Sequence, residues 1–166
     1  PIDVATVAAC DNVNPLECLM PWPSSRYLAA DAGTTTGWRV DYDPDAFELN
    51  IRDDPFDVEP YARFDGFPPS AQILTVFDAP VDGSTLPSHL DYDASLAADS
   101  PTVLLDMDRG AWVPHFAEFD VGFDDPSEIL LYIRPAVRLD DDTRYAVAIR
   151  GLQYEDGAEV PPSEVF

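Results

Sequence analysis

The sequence contains no lysine, and its nine basic residues, all arginine, face 32 acidic residues. The resulting formal net charge of −23 at pH 7 repels phosphate backbones, which excludes nucleic-acid binding as a function class. Anionic membrane surfaces are disfavoured as partners for the same reason. Two explanations of the acidity stay open: a salty or cation-rich setting, or solubility alone.

Long apolar runs are also missing. No stretch approaches the roughly 18 to 20 apolar residues that a membrane-spanning helix requires, so we expect no integral membrane segment. The apolar fraction of 46% and the charged fraction of 25% are nevertheless ordinary for a globular protein. A chain of 166 residues is long enough to bury a sizeable core. Because it begins at Pro1 rather than Met, we expect that a segment preceded it.

Signatures of catalysis are scarce. The sequence has no G-x-S-x-G, and nothing links its two histidines, His89 and His115, to a nucleophilic serine. His115 lies in the apolar stretch "VPHFAEF", where a structural imidazole is more typical than a catalytic base. The absence of H-E-x-x-H and C-x-x-C argues against a transition-metal site. We therefore predict no catalytic residue and no cofactor in these 166 residues.

A calcium site remains an alternative, because hard cations bind carboxylates in loops. Asp41, Asp43 and Asp45 alternate in "DYDPDAFELN" as in the first half of an EF-hand loop. The match fails afterwards, since Ala46 stands where glycine is needed and Arg52 where a glutamate closes the loop. In a chain this acidic such alternation arises by chance, so these three aspartates are weak calcium candidates.

The two cysteines, Cys10 and Cys18, lie close together in "CDNVNPLEC". This spacing favours a local disulfide that closes a short loop, worth about 2 to 3 kcal/mol, and two free thiols are the alternative. A disulfide predicts an oxidising, extracytoplasmic location, secreted or at the cell surface, with or without a lipid anchor upstream.

Residues 1–70 and 71–166 differ in composition. Prolines in the first part exclude long helices, and we expect an extended segment with one or two short strands around 37–51. Its aromatic residues are too many for a solvated tail, so we expect them to pack on the second part. They are Trp22, Tyr27, Trp38, Phe47, Phe56, Tyr61, Phe64 and Phe67. An aromatic platform for a sugar or chain-like ligand, built from Trp22, Tyr27, Trp38 and Tyr61, is the alternative.

The second part reads as β-structure throughout. Short alternating or apolar runs are separated by turn residues, and they predict an antiparallel β-sandwich. The predicted strands are 71–77, 102–107, 111–119, 128–134, 143–150 and a final short one near 158–160. The one helix candidate is 92–99, at most two turns long.

The triplet Asp140, Asp141, Asp142 in "AVRLDDDTRYAVAIRG" poses a choice between a cation site and a polar turn. It lies where the strand 128–134 must reverse into the strand 143–150, and aspartate favours turns through local backbone hydrogen bonds. The turn is the preferred interpretation.

Several stretches resemble one family. "AQILTVFDAPVDGSTLP" resembles the opening strand and turn of bacterial Ig-like modules, and "ILLYIRPAVRLDDDTRYAVAIRGLQYEDGAEVPPS" resembles their closing hairpin. Upstream, "PWPSSRYL" and "ARFDGFPPSAQILTVF" resemble the N-terminal domain of bacterial extracellular, virulence-factor-type lipases. The likeness covers most of residues 15–166, and it departs from the family at "RFDGF", where a Leu-Asp-Gly-Phe opening is usual.

The resemblance implies an Ig-like β-sandwich on which the proline-rich N-terminal segment packs. It implies a non-catalytic module of a secreted or surface hydrolase, whose partner is a C-terminal lipase- or esterase-like domain or another protein chain. A stand-alone adhesion module that binds protein, glycan or calcium is the alternative. The likeness also suggests that Tyr145 forms a tyrosine corner, with its hydroxyl tied to nearby backbone.

Overall fold

A computed structural model describes residues 2–120, 122 and 129–165. Within these residues the chain is mostly β, and its helical segments are short 3₁₀ turns. The strands are β1 (Leu28–Ala30), β2 (Trp38–Val40), β3 (Ile73–Phe77), β4 (Thr102–Asp106), β5 (Ala111–Trp112), β6 (His115–Phe119), β7 (Ile129–Pro135) and β8 (Tyr145–Ile149). The 3₁₀ turns are Ser25–Tyr27, Pro44–Ala46, Glu59–Tyr61 and Asp93–Leu96. None of the helices in the described part is long and apolar enough to cross a membrane.

The chain divides into two compact units. The first comprises Pro1–Pro68 with Ser163–Phe166, and the second comprises Pro69–Pro162. Each has its own cluster of buried apolar side chains.

The first unit has little regular structure. Its one sheet among the described residues is the antiparallel pair β1 and β2, with Leu28 opposite Val40 and Ala30 opposite Trp38. Its core gathers Val4, Ala46, Tyr27 and the two cysteines. Proline is frequent in this unit and cannot donate to a ladder, so most of the backbone folds as turns around that core.

The disulfide prediction is confirmed, because Cys10 and Cys18 are bonded and both are buried. Tyr27, only 1% exposed, lies against this loop. Its hydroxyl donates to the Cys18 carbonyl at 2.5 Å and accepts from the Asp11 amide at 3.2 Å. Burial raises the pKa of this phenol. Tyr27 is thus a core residue that fixes the loop, and the idea that it offers a stacking surface is wrong.

The second unit contains two antiparallel three-stranded sheets, so the prediction of an antiparallel all-β fold is confirmed. One sheet has the order β3-β7-β6, with Ile73 opposite Ile133 and Phe119 opposite Leu131. The other has the order β5-β4-β8, with Thr102 opposite Ile149.

The two sheets share one apolar core, which is the hallmark of a sandwich. Leu131 and Ile133 of β7 are buried to 0% and 1% exposure, and Ile149 of β8, from the other sheet, packs against them. A polar link joins the same layers, since the side chains of His115 in β6 and Thr102 in β4 are hydrogen-bonded.

The predicted strand 111–119 is wrong in one respect: it is two strands, β5 and β6, in different sheets. The chain crosses between the layers at Val113 and Pro114. Val113 still donates to the Leu104 carbonyl at 2.8 Å, but Pro114 has no N–H with which to continue the ladder. Proline therefore ends pairing in one sheet and starts the crossing that places His115 in the core.

The expected reversal between 128–134 and 143–150 also differs from the structure. β7 pairs with β3 and β6, whereas β8 pairs with β4, so these strands lie in opposite sheets and form no hairpin. Packing of Ile149 on the β7 cluster across the layers accounts for this arrangement. Residue 128 lies outside the described part of the chain.

Three shorter predicted elements also differ from the structure. The helix candidate 92–99 is a single 3₁₀ turn, Asp93–Leu96, and residues 158–160 contribute one isolated bridge, Gln153 with Glu159, rather than a strand. The expected strand in 37–51 is present as β2, but its partner β1 was not predicted.

Candidate functional site

The most distinctive surface feature of the first unit is an aromatic cleft of about 110 Å³. All of its lining residues are apolar or aromatic: Leu19, Trp22, Tyr42, Phe47, Phe56 and Tyr61. We call this set the aromatic cleft. Of the four residues proposed for a stacking platform, Trp22 and Tyr61 belong to it, whereas Tyr27 is buried and Trp38 does not line it.

Four of the rings form a closed circuit of contacts. Tyr42 meets Phe47 edge-on, with centroids 5.4 Å apart, and meets Tyr61 edge-on at 5.9 Å. Phe47 stacks on Phe56 at 4.3 Å, and Phe56 in turn contacts Tyr61 at 5.6 Å. Tyr42 is oriented further by the Trp22 indole, whose Nε1 donates to its hydroxyl at 3.3 Å. The rings fix one another, so the cleft is preformed.

Two short 3₁₀ turns position these rings. Pro44–Ala46 separates Tyr42 from Phe47, and Glu59–Tyr61 carries Tyr61, five residues after Phe56. The sequence contains a signal for this arrangement, since "YDPDAF" and "FDVEPY" both hold two aromatic residues five positions apart around a proline and acids. Tyr42, which is central to the circuit of rings, was absent from the predicted platform.

The calcium candidates lie in the same segment but do not converge. The Asp43 carboxylate caps the turn Pro44–Ala46 by accepting from the Asp45 amide at 3.0 Å. The Asp41 amide donates to the Tyr27 carbonyl at 2.9 Å. Among all described residues, no group of three or more His, Cys, Asp or Glu side chains could hold a metal ion. Of the three aspartates, Asp43 thus serves as the cap of a turn.

His115 is completely buried between the sheets, and both of its ring nitrogens are bonded. Nδ1 lies 2.9 Å from the Val113 carbonyl, which can only accept, so Nδ1 carries the proton. Nε2 then accepts from the Thr102 hydroxyl at 2.9 Å. Burial lowers the pKa of this imidazole, and the hydrogen bond from Nδ1 to the Val113 carbonyl opposes the shift without cancelling it.

Around His115 the other buried polar groups are paired as well. Its amide donates to Ser95 Oγ at 3.0 Å, and the Ser95 hydroxyl donates to the Tyr92 carbonyl at 2.7 Å. The Ser100 hydroxyl donates to the Thr102 carbonyl. No serine therefore faces the imidazole as a nucleophile in this network. The neutral ring links the two sheets, and its hydrogen bonds are satisfied, as the place of His115 in an apolar stretch indicated.

His89 has a different setting, because it is exposed. Its ring contacts Phe116 edge-on, with centroids 6.0 Å apart. Both residues line an open groove of about 260 Å³ in the second unit, together with Ser88, Leu86 and Glu118. The Ser88 hydroxyl accepts from the Leu90 amide at 3.1 Å, so this serine serves the local turn.

The triplet Asp140 to Asp142 is a turn, as predicted, and its first two carboxylates are paired with arginine. Asp141 binds Arg138 through both carboxylate oxygens, at 2.8 and 3.0 Å. Asp140 pairs with Arg109, and Asp142 has a positive φ of 49°, typical of a turn aspartate.

Arg109 connects this corner to the β4–β5 turn. Its guanidinium also binds Asp106, which is almost fully buried and accepts from the backbone amides of Asp108 and Arg109 at 3.0 and 2.9 Å. Asp140, followed by Asp106, raises the pKa of Arg109. Asp106, Asp140 and Asp141 thus have arginine partners within the chain.

The tyrosine-corner hypothesis is confirmed in its geometric content. The Tyr145 hydroxyl accepts from the Asp140 backbone amide at 2.9 Å, five residues upstream. This bond ties the connection between the sheets to the first residue of β8.

Comparison with known proteins adds no relative. No family model, no curated protein and no solved structure with which the chain was compared matches it.

Proposed function

We propose that this chain is a non-catalytic β-sandwich module of a secreted or surface bacterial hydrolase of lipase or esterase type. Its role is to dock on, or position, a catalytic domain that follows it. The sequence likeness to the N-terminal, Ig-like domain of bacterial extracellular lipases is the source of this proposal, and the Ig-like type of the sandwich is part of it.

The proposal that the module is non-catalytic is supported by the burial and hydrogen bonding of His115. A general base needs a free lone pair within reach of substrate. Here Nε2 accepts from Thr102 and Nδ1 binds Val113, inside a core that is closed to solvent. Every described buried side-chain nitrogen or oxygen has a partner, so the polar groups of this core serve the fold.

The disulfide supports the extracytoplasmic location. Cys10 and Cys18 are bonded and no free cysteine is present. Disulfides persist mainly in oxidising compartments, where a module of a secreted or surface protein resides.

The test is to read the gene beyond the codon for Phe166 and to assay the products. The proposal predicts an α/β hydrolase domain with a G-x-S-x-G serine. Removal of residues 1–166 should lower the melting temperature or the kcat/KM of that domain, and the isolated module should not hydrolyse p-nitrophenyl esters. Ester hydrolysis by the purified 166-residue chain, lost in Ser95→Ala or His115→Gln, would overturn the proposal.

The second candidate is a stand-alone surface or adhesion module, and the aromatic cleft favours it. Half-exposed rings such as Phe56 and Tyr61 are typical of recognition surfaces. A stop codon or further sandwich repeats after Phe166 would select this function. A rise in melting temperature with calcium, reversed by chelator, would extend it to calcium.

A further inference from the structure

The aromatic cleft of the first unit combines three properties that together define a ligand class. The first is its wall of rings. Tyr42 and Phe47 are nearly perpendicular, at 84°, and Tyr42 and Tyr61 are at 80°. Phe47 and Phe56 are stacked, at 17°, so the two perpendicular contacts of Tyr42 give the wall both ring faces and ring edges. Such an arrangement surrounds a compact, rounded group better than a planar one.

The second property is access. Phe56 is 38% exposed and Tyr61 is 39% exposed, so the cleft opens to solvent on their side. Trp22, Tyr42 and Phe47 are half-buried behind them. The space of about 110 Å³ suits a small group and not a sugar ring with its hydroxyls.

The third property is the scarcity of hydrogen-bonding groups in the lining. The lining residues supply only the Tyr42 and Tyr61 hydroxyls and the Trp22 indole, and Trp22 is already bonded to Tyr42. No carboxylate or amide side chain lines the cleft. A primary ammonium would lose its hydration there without replacement, whereas a quaternary ammonium has no N–H to satisfy.

The charge around the cleft is strongly negative. Residues 41–61 hold eight acidic residues and one arginine, a formal net charge of −7. Each ring of the circuit lies within two residues of an acid: Asp43 follows Tyr42, Glu48 follows Phe47, and Asp57 follows Phe56. This field attracts cations over a range of about 8 to 10 Å at moderate salt. It also repels a ligand that carries a phosphate.

We propose that the aromatic cleft binds the quaternary ammonium group of a small organic cation such as choline, which carries no phosphate. Ring faces attract the charge through their quadrupoles, the methyl groups fill the apolar space, and the acidic surroundings raise the local concentration of the cation. This site is independent of the docking role proposed above, because it lies in the first unit and requires no second domain.

The experiment is an NMR titration of the full 166-residue chain, followed at the indole N–H resonance of Trp22. The probes are choline, tetramethylammonium, phosphocholine and 3,3-dimethylbutan-1-ol, the neutral isostere of choline. The two cations should shift the resonance with saturation, and phosphocholine should bind more weakly. A neutral isostere that binds as tightly as choline would overturn the proposal, as would the lack of a saturable shift with either cation.

Variants separate ring recognition from simple burial. Tyr61→Leu and Phe56→Leu keep an apolar side chain but remove a ring, and each should raise the Kd for choline about five- to tenfold. Tyr61→Phe keeps the ring and should bind as the unchanged chain does. Phe64→Leu is the matched control, because Phe64 is 45% exposed in the same unit and does not line the cleft.

Two results would contradict the assignment to this cleft: equal losses in Phe64→Leu and Tyr61→Leu, or full affinity in both Tyr61→Leu and Phe56→Leu. The same spectra report folding, since amides of the loop between Cys10 and Cys18 lose their dispersion if the first unit unfolds. If Phe56→Leu unfolds the unit, Tyr61→Leu against Tyr61→Phe decides alone, because these two variants differ in whether a ring is present at the same position.

Discussion

The two units of this chain reach an ordered structure by different means. In the second unit, backbone pairing within two sheets and apolar packing between them account for the fold. In the first, a two-stranded sheet with three residues in each strand is all the regular pairing described. A disulfide, the buried Tyr27 and a set of interlocked rings take the place of a sheet core.

The difference shows how a proline-rich, acidic segment can be ordered without long secondary structure. Cross-linking reduces the entropy of the unfolded chain, and large rings bury much apolar area for each residue fixed. A sandwich instead depends on many small contacts in register. The predictions below perturb one mode of stabilisation at a time.

The largest effect is expected from the sandwich core. Leu131→Ala removes a side chain that is 0% exposed and leaves a cavity against Ile133 and Ile149, so the free energy of unfolding of the second unit should fall by about 2 to 5 kcal/mol. Chemical denaturation followed by β-sheet circular dichroism measures it. Val147→Ala, in β8 of the other sheet and 39% exposed, is the control and should change little. Equal losses in the two variants would argue against a shared inter-sheet core.

Removal of the disulfide should be next in size. The double variant Cys10→Ser, Cys18→Ser should lower the stability of the first unit by about 2 to 3 kcal/mol, because the unfolded chain regains the freedom of the loop. Denaturation monitored by tryptophan fluorescence of a variant that retains only Trp22 checks this. A variant with unchanged stability would mean that Tyr27 and its neighbours order the loop without the cross-link.

The pH dependence of the sandwich should carry the signature of His115. Its pKa is lowered in the folded state, so between that value and the ordinary value of 6.5 the unfolded chain holds a proton that the folded chain does not. The stability linked to His115 is thus fully present above pH 6.5 and is lost as the pH falls through the lowered folded pKa.

The variant His115→Gln tests this sign. It should be less stable than the unchanged chain at pH 8, and the gap should narrow as the pH falls below 6.5. Thermal melts at several pH values measure the gap. His89→Gln is the matched control for the loss of a histidine, because His89 is exposed, and it should change the stability little. A constant gap for His115→Gln would mean that folding does not shift the pKa of His115, and a gap that widens as the pH falls would mean that folding raises it.

The smallest effect is expected at the corner between the sheets. Tyr145→Phe removes the acceptor of the Asp140 amide and should lower the free energy of unfolding by about 0.5 to 1.5 kcal/mol, with a lower melting temperature. Tyr132→Phe, whose hydroxyl makes a longer bond of 3.3 Å to Asp120, offers the comparison and should cost less. An unchanged melting temperature in Tyr145→Phe would remove the tyrosine corner as a stabilising element.

The sequence predicted the second unit better than the first for a physical reason. Strands such as β4 and β8 can be predicted from local alternation and flanking turn residues, because these signals do not depend on which strand each one pairs with. The switch of sheets at Pro114 could have been read from the same proline, since it cannot continue a ladder. The pairing of β8 with β4 could not be predicted, because the alternating pattern of β8 is equally compatible with pairing to β7 or to β4.

In the first unit, the contacts that matter join residues far apart in the chain. The cysteine pairing followed from local spacing, but the bond between Tyr27 and the Cys18 carbonyl did not. The closed circuit of rings around Tyr42 depends on the folded path of residues 42–61. Composition indicated that the aromatic residues must pack, and whether those of the first part also pack on the second stays a prediction.

Amide hydrogen exchange in oxidised and reduced protein tests the central claim most directly, namely that a cross-linked aromatic cluster orders one unit and paired sheets order the other. On reduction of Cys10–Cys18, amides of β1, β2 and the cysteine loop should lose protection. Amides of β4, β7 and β8 should keep theirs. Simultaneous loss of protection in both units, or no loss in either, would contradict the account.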